Sequence, residues 1–144
     1  MVVVFLTLVA VGGATGVYFA GEAQHRRDRA DIVRWEARAL PAARDAEARQ
    51  RMLRGAMPAR EIAETSVALQ RDIDAIAAPP LPEIVRPAAA AYVEAIMKTA
   101  ASLQVVGSAS FGRAQSQARA AFAAAAAAEQ TLVCRARLPA CSRP

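Results

Sequence analysis

The sequence predicts an all-α protein: an N-terminal single transmembrane helix followed by an antiparallel bundle of about four helices. Three observations predict it. The first twenty residues, Met1 to Ala20, contain no charged side chain. Alanine, a strong helix former, dominates the remainder of the chain, and β-branched runs are absent there. Glycine and proline fall between the stretches of helical periodicity, with Gly55, Gly107 and the Pro79-Pro80-Leu81-Pro82 run as the clearest breaks. The expected division is 1-21 anchor, 22-137 helical bundle and 138-144 C-terminal tail.

Crossing a hydrocarbon core of about 30 Å takes roughly 20 helical residues, so Met1 to Ala20 is long enough for one span. A signal peptide would carry a basic start and a shorter apolar core, whereas here no Lys or Arg precedes the run. Cleavage near Ala20-Gly21-Glu22-Ala23 is the alternative. Gly12, Gly13 and Gly16 form a small-residue face on which a partner membrane helix could approach closely. Tyr18 and Phe19 suit an interfacial aromatic belt, and Arg26, Arg27 and Arg29 then meet the membrane surface.

Two rules disagree about topology. Arg26, Arg27, Arg29, Arg34 and Arg38 lie just after the span and none precedes it, which by the positive-inside rule puts the domain in the cytoplasm. Cys134 and Cys141 are the only cysteines. Their spacing is compatible with a disulfide across a turn at Leu138-Pro139-Ala140, and a disulfide belongs to an oxidising compartment. The expectation adopted is a bacterial cytoplasmic (inner) membrane protein whose bundle is extracytoplasmic, with two free thiols as the alternative to the bridge.

A first helix continues from the anchor to Leu40, is kinked or restarted by Pro41, and resumes to Arg54 before Gly55. Ile32, Trp35, Ala39, Ala43, Ala46, Gln50 and Leu53 mark its buried face. A second helix opens at Pro58, carries Glu61 and Glu64 in its first turn, and runs to about Ala78, with Ile62, Ser66, Leu69, Ile73 and Ile76 as its stripe. After the proline run, a third helix is under way by Pro87 and reaches Val106, burying Ala89, Tyr92, Ile96, Thr99, Leu103 and Val106. Ser108 or Ser110 caps the fourth, which runs to about Arg137 and buries Phe111, Ala118, Phe122, Ala125 and Leu132. The alanines Ala123 to Ala128 provide a flat surface for close helix contact.

Charge is unevenly spread within a net +5. Residues 22–60 and 99–144 each carry +4, and residues 61–98 carry −3. Compensation between neighbouring helices is one consequence; contact of the basic flanks with anionic lipid is another. Nucleic-acid binding lacks a motif or an aromatic platform. The patterns that announce bundle metal or haem sites, Glu-x-x-His pairs and Cys-x-x-Cys-His, do not occur, and His25 is the only histidine. A Ser-His-Asp nucleophile and a glycine-rich phosphate loop are likewise not written in the chain. The expected protein is not an enzyme and has no catalytic residue, metal or cofactor, and no small-molecule substrate.

From Ile73 to Leu132, the Ala-Pro-Pro turn, the Ala91-Tyr92 helix, the Gly-Ser break and the closing alanine-rich helix resemble small exported helical-bundle proteins of high-GC bacteria. That resemblance implies the architecture and carries no functional residue. An anchor followed by helices also resembles phage spanins of the inner membrane, although Pro41, Pro58, Pro79, Pro80 and Pro82 should break a rod. The function expected is that of an accessory or scaffold subunit of a larger bacterial membrane complex, respiratory, photosynthetic or secretory. Its partners are then the bilayer and other membrane subunits. The alternative is a stand-alone membrane-anchored sensor with a small ligand near Tyr92 and Trp35.

Overall fold

The computed structural model describes residues 3–138 and 141, with side chains described from residue 21 onward. Four α-helices and one 3-10 turn occur in the order α1 (Val3–Met52), α2 (Ala59–Ala77), the turn Glu83–Val85, α3 (Arg86–Gln104) and α4 (Phe111–Arg135). No strand occurs among the described residues. Sequence neighbours run antiparallel, and cross-helix contacts fix the register. Trp35 on α1 reaches Ile76 on α2, Arg54 just after α1 reaches Glu61 near the start of α2, and Tyr92 reaches Glu129 between α3 and α4. The α3–α4 contact is the most extensive in the bundle.

All seven residues of the predicted α1 face are buried, from Ile32, Ala39 and Ala46 at 0% exposure to Leu53 at 6%. Three alanines in the middle of that face hold little area each, but they let the other helices approach closely around Trp35. The predicted α4 residues Phe111, Ala118, Phe122, Ala125 and Leu132 are also buried, as are Ala89, Tyr92, Ile96, Thr99 and Leu103 on α3. Val106 is half-buried because α3 has already ended at Gln104. Gly107 comes next with φ +83°, a left-handed conformation that suits glycine and turns the chain toward α4.

Pro41 does not interrupt α1, which is continuous from Val3 to Met52. The ring takes one hydrogen bond from the carbonyl of Ala37, but Pro41 and Ala37 are both exposed, so water can serve that carbonyl. Ala39, Ala43 and Ala46 are buried on either side of the proline. Packing on that face outweighs a local penalty of about 3 kcal/mol.

Two further expectations need correction. Ser66 is exposed and donates its hydroxyl to the Ile62 carbonyl at 2.9 Å, while Asp72 takes the buried place on α2 beside Leu69 and Ile76. Ser110 stands at the start of α4 without a side-chain capping bond; Ser108 Oγ instead accepts from the Ser110 amide at 3.3 Å and donates to the Val105 carbonyl at 2.8 Å.

Among the described residues no helix is long and apolar enough to cross a membrane. Met1 to Ala20, on which the expected anchor rests, lies outside the residues with described side chains. The same holds for Gly12, Gly13, Gly16, Tyr18 and Phe19.

Because Pro41 is tolerated rather than required by packing, Pro41→Ala should raise the thermal midpoint, by several degrees for a gain of about 1–2 kcal/mol. A lower midpoint in a thermal denaturation scan would mean that α1 needs the proline's local geometry.

Candidate functional site

A polar arrangement in the interior lies where α1, α3 and α4 meet. Trp35 on α1 and Tyr92 on α3 face each other with ring centroids 6.5 Å apart and planes tilted by 41°. The spacing and tilt suit an aromatic pair. Trp35 is 2% exposed, and its indole N–H donates to the Ile76 carbonyl at 3.3 Å, so its one polar group is served by the end of α2. The Tyr92 hydroxyl donates to Glu129 Oε2 on α4. Burial, reinforced by that hydrogen bond and by the charges of Glu129 and Glu47, pushes the Tyr92 phenol well above its ordinary range. A phenol so held stays protonated at neutral pH, so it acts as a donor linking α3 to α4 rather than as a base.

Glu36 sits one residue after Trp35 and is half-buried. Burial, with the negative charge of Glu129 adding to it, pushes its carboxyl above the ordinary value. A second polar contact joins α1 to α2, where Arg49 pairs with Asp72. Burial raises the Asp72 carboxyl, and the Arg49 guanidinium only partly offsets that. At the far end of the bundle, Gln115 Nε2 donates to the Leu53 carbonyl at 3.0 Å, and Gln50 Nε2 reaches the Gln115 carbonyl at 3.4 Å. Gln50 Oε1 is buried without a partner among the described residues.

Among the described residues no group of three or more His, Cys, Asp or Glu side chains converges as metal ligands would. A cleft of about 280 Å³ lies against Trp35, lined by Asp31, Arg34, Arg38, Pro80 and Pro82. Its two arginines are already engaged: Arg34 pairs with Asp31, and Arg38 donates to the Ala78 carbonyl at 2.9 Å.

A disulfide joins Cys134 and Cys141, with Cα atoms 4.7 Å apart. Of the arginines expected at a membrane surface, Arg26 pairs with Glu22 at 2.8 Å. Arg29 donates to the Arg137 carbonyl at 3.2 Å, and Arg27 is exposed. The Tyr92–Glu129 and Arg49–Asp72 contacts are the functional-site features that sequence reasoning missed. Glu129 and Asp72 do lie on the buried sides of their helices by period, as Ala125–Leu132 and Leu69–Ile76 bracket them. No protein-family model matches the chain, and neither a characterised protein nor a solved structure matches it.

Because the folded chain raises the Glu36 carboxyl, its stabilising contribution is full below the unfolded-state value near 4.3 and declines as pH rises through the folded value. Glu36→Gln removes the cost of ionising it. The variant should therefore melt higher than the parent at pH 7 to 8, with the gain fading as pH falls to about 4. A gain that persists at pH 4, or a loss at pH 7, would contradict this. Tyr92→Phe, which keeps the ring but leaves Glu129 without its donor, should cost about 1–2 kcal/mol in urea denaturation. No measurable cost would mean that the hydroxyl contributes nothing to the α3–α4 contact.

Proposed function

We propose that this chain is a non-catalytic accessory or scaffold subunit of a larger bacterial membrane complex. In this reading Met1 to Ala20 lies in the inner membrane beside partner helices, with Gly12, Gly13 and Gly16 toward them. The bundle, on the extracytoplasmic side, spaces or clamps the partners' outer surfaces.

The observation that carries the proposal is the continuity of α1 from Val3 to Met52. The helix that contains the apolar stretch also supplies Ile32, Trp35, Ala39, Ala43, Ala46 and Gln50 to the core. An anchor joined to a bundle by a flexible linker would only tether it. An anchor that is the same helix as one of the bundle's own core elements fixes the bundle's height and direction above the bilayer, as a spacer requires. The Cys134–Cys141 bridge supports the extracytoplasmic placement, since such bonds persist in oxidising compartments. A ligand-sensing role would draw on the cleft against Trp35, whose Arg34 and Arg38 are already engaged by Asp31 and the Ala78 carbonyl.

Extraction in mild detergent followed by native sizing should find the full chain co-migrating with other membrane proteins. A folded monomer running alone would sink the scaffold reading. In intact cells, an impermeant thiol reagent should label Cys134 and Cys141 only after treatment with an impermeant reductant. Labelling from the cytoplasmic side without reductant would place the bundle on the other face.

A further inference from the structure

The contact between α1 and α4 is fastened at its two ends. At one end Gln50 Nε2 donates to the Gln115 carbonyl at 3.4 Å, and Gln115 Nε2 donates to the Leu53 carbonyl at 3.0 Å. At the other, Arg29 Nη2 donates to the Arg137 carbonyl at 3.2 Å. Between them α1 offers the small side chains of Ala39, Ala43 and Ala46. Like charges face each other there as well, because burial raises the Glu36 carboxyl and the charge of Glu129 adds to it. α1 and α4 also touch far less than α3 and α4 do. The seam therefore leans on its end contacts.

The Arg29 contact depends on a turn that is not self-supporting. α4 ends in a Schellman arrangement, in which the Arg137 amide donates to the Cys134 carbonyl at 3.0 Å and the Leu138 amide to the Val133 carbonyl at 3.1 Å. Arg137 fills the left-handed position of that arrangement at φ +52°, where glycine is the usual occupant and an L side chain has a conformational cost. Two features offset the cost: Leu138 packs against the core, and the Cys134–Cys141 bridge closes over the turn. Cys141 also donates its amide to the Leu138 carbonyl at 3.0 Å. Both cysteines are half-buried rather than enclosed, so the bridge is within reach of a thiol in solution.

We infer that the Cys134–Cys141 bridge is a redox latch on the α1–α4 seam. Closed, it holds the Arg137 carbonyl where Arg29 bonds it. Opened by a dithiol reductant, it frees the turn to leave its left-handed conformation, and that end of α4 parts from α1. In the opening step a thiolate of the reductant attacks one sulfur and displaces the other as a thiolate, which takes up a proton; the reductant's second thiol then resolves the mixed disulfide. Cys134 and Cys141 gain two electrons and two protons, and the reductant leaves as a disulfide. The parting uncovers apolar surface, since Ile32, Leu132 and Ala136 meet at this end at 0%, 8% and 6% exposure. Each of these contacts lies within the bundle, so the latch does not rest on the membrane reading.

Hydrogen–deuterium exchange of the full chain in detergent, with and without dithiothreitol, tests the latch. Reduction should speed exchange in residues 25–33 and 128–135 about fivefold to tenfold, the factor that loss of one hydrogen bond of ordinary strength produces, and leave α2 and the Gln50–Gln115 end unchanged. Cys134→Ala with Cys141→Ala should show the reduced pattern without reductant. Arg29→Ala, with the bridge intact, should speed residues 25–33 by a similar factor. Reduction should then add less than about twofold, because both changes remove the same contact. A change confined to residues beyond Arg135 would mean that the bridge holds only the tail, and a change spread over α2 and α3 would make it a general staple. Full additivity with Arg29→Ala would disconnect it from α1. Any of those results, or a bridge that dithiothreitol does not open in the folded chain, would overturn the latch.

Discussion

The buried face of α1 is the constraint on which the rest of this structure depends. Ile32 and Trp35 at one end and Gln50 at the other, with Leu53 just beyond the helix, are joined by Ala39, Ala43 and Ala46, which have almost no side chain to hold neighbours apart. The consequence is a narrow seam: α2, α3 and α4 approach along it, and position is fixed by a few specific contacts rather than by bulk. Trp35 bonds the end of α2, Arg49 bonds its middle, and Gln50 and Gln115 tie α1 to the start of α4. Those bonds sit where alanine burial alone would leave the helices free to slide.

Electrostatics obeys the same division of labour. The acidic character of residues 61–98 meets α1 through Arg49–Asp72 and Arg54–Glu61. The exposed second pair contributes little. The first is largely withdrawn from water, so loss of either partner would leave a charge stranded. Near Trp35 burial raises the Glu36 carboxyl and the Glu129 charge adds to it, with Tyr92 donating to Glu129. This polar arrangement ties helices together, while Arg27, Arg29, Arg135 and Arg137 are exposed and have no ion pair among the described residues.

Much of this fold is legible in the sequence because helical period reports burial directly. The seven α1 positions and the five α4 positions are marked by spacing alone, and the proline run and Gly107 mark the breaks. Pro41 misleads when its effect is judged locally, because its exposed face and the buried alanines beside it decide the outcome. Ser66 misleads for a related reason. A five-point stripe does not say which edge of it faces a neighbour, and Asp72 could enter the core only because Arg49 waits on α1. The Arg29–Arg137 contact spans most of the chain and has no local signature, so the basic end of the bundle cannot be assembled without the fold.

Helix continuity is the claim on which the scaffold reading rests. It can be measured directly by pulsed electron–electron resonance between spin labels at Val17 and Arg44 in the full chain reconstituted in bilayers. A straight helix through Pro41 gives one narrow distance distribution centred near 40 Å, at about 1.5 Å per residue. A broad distribution, or one centred well short of that distance, would contradict continuity: it would mean that the apolar stretch and the bundle move as separate bodies.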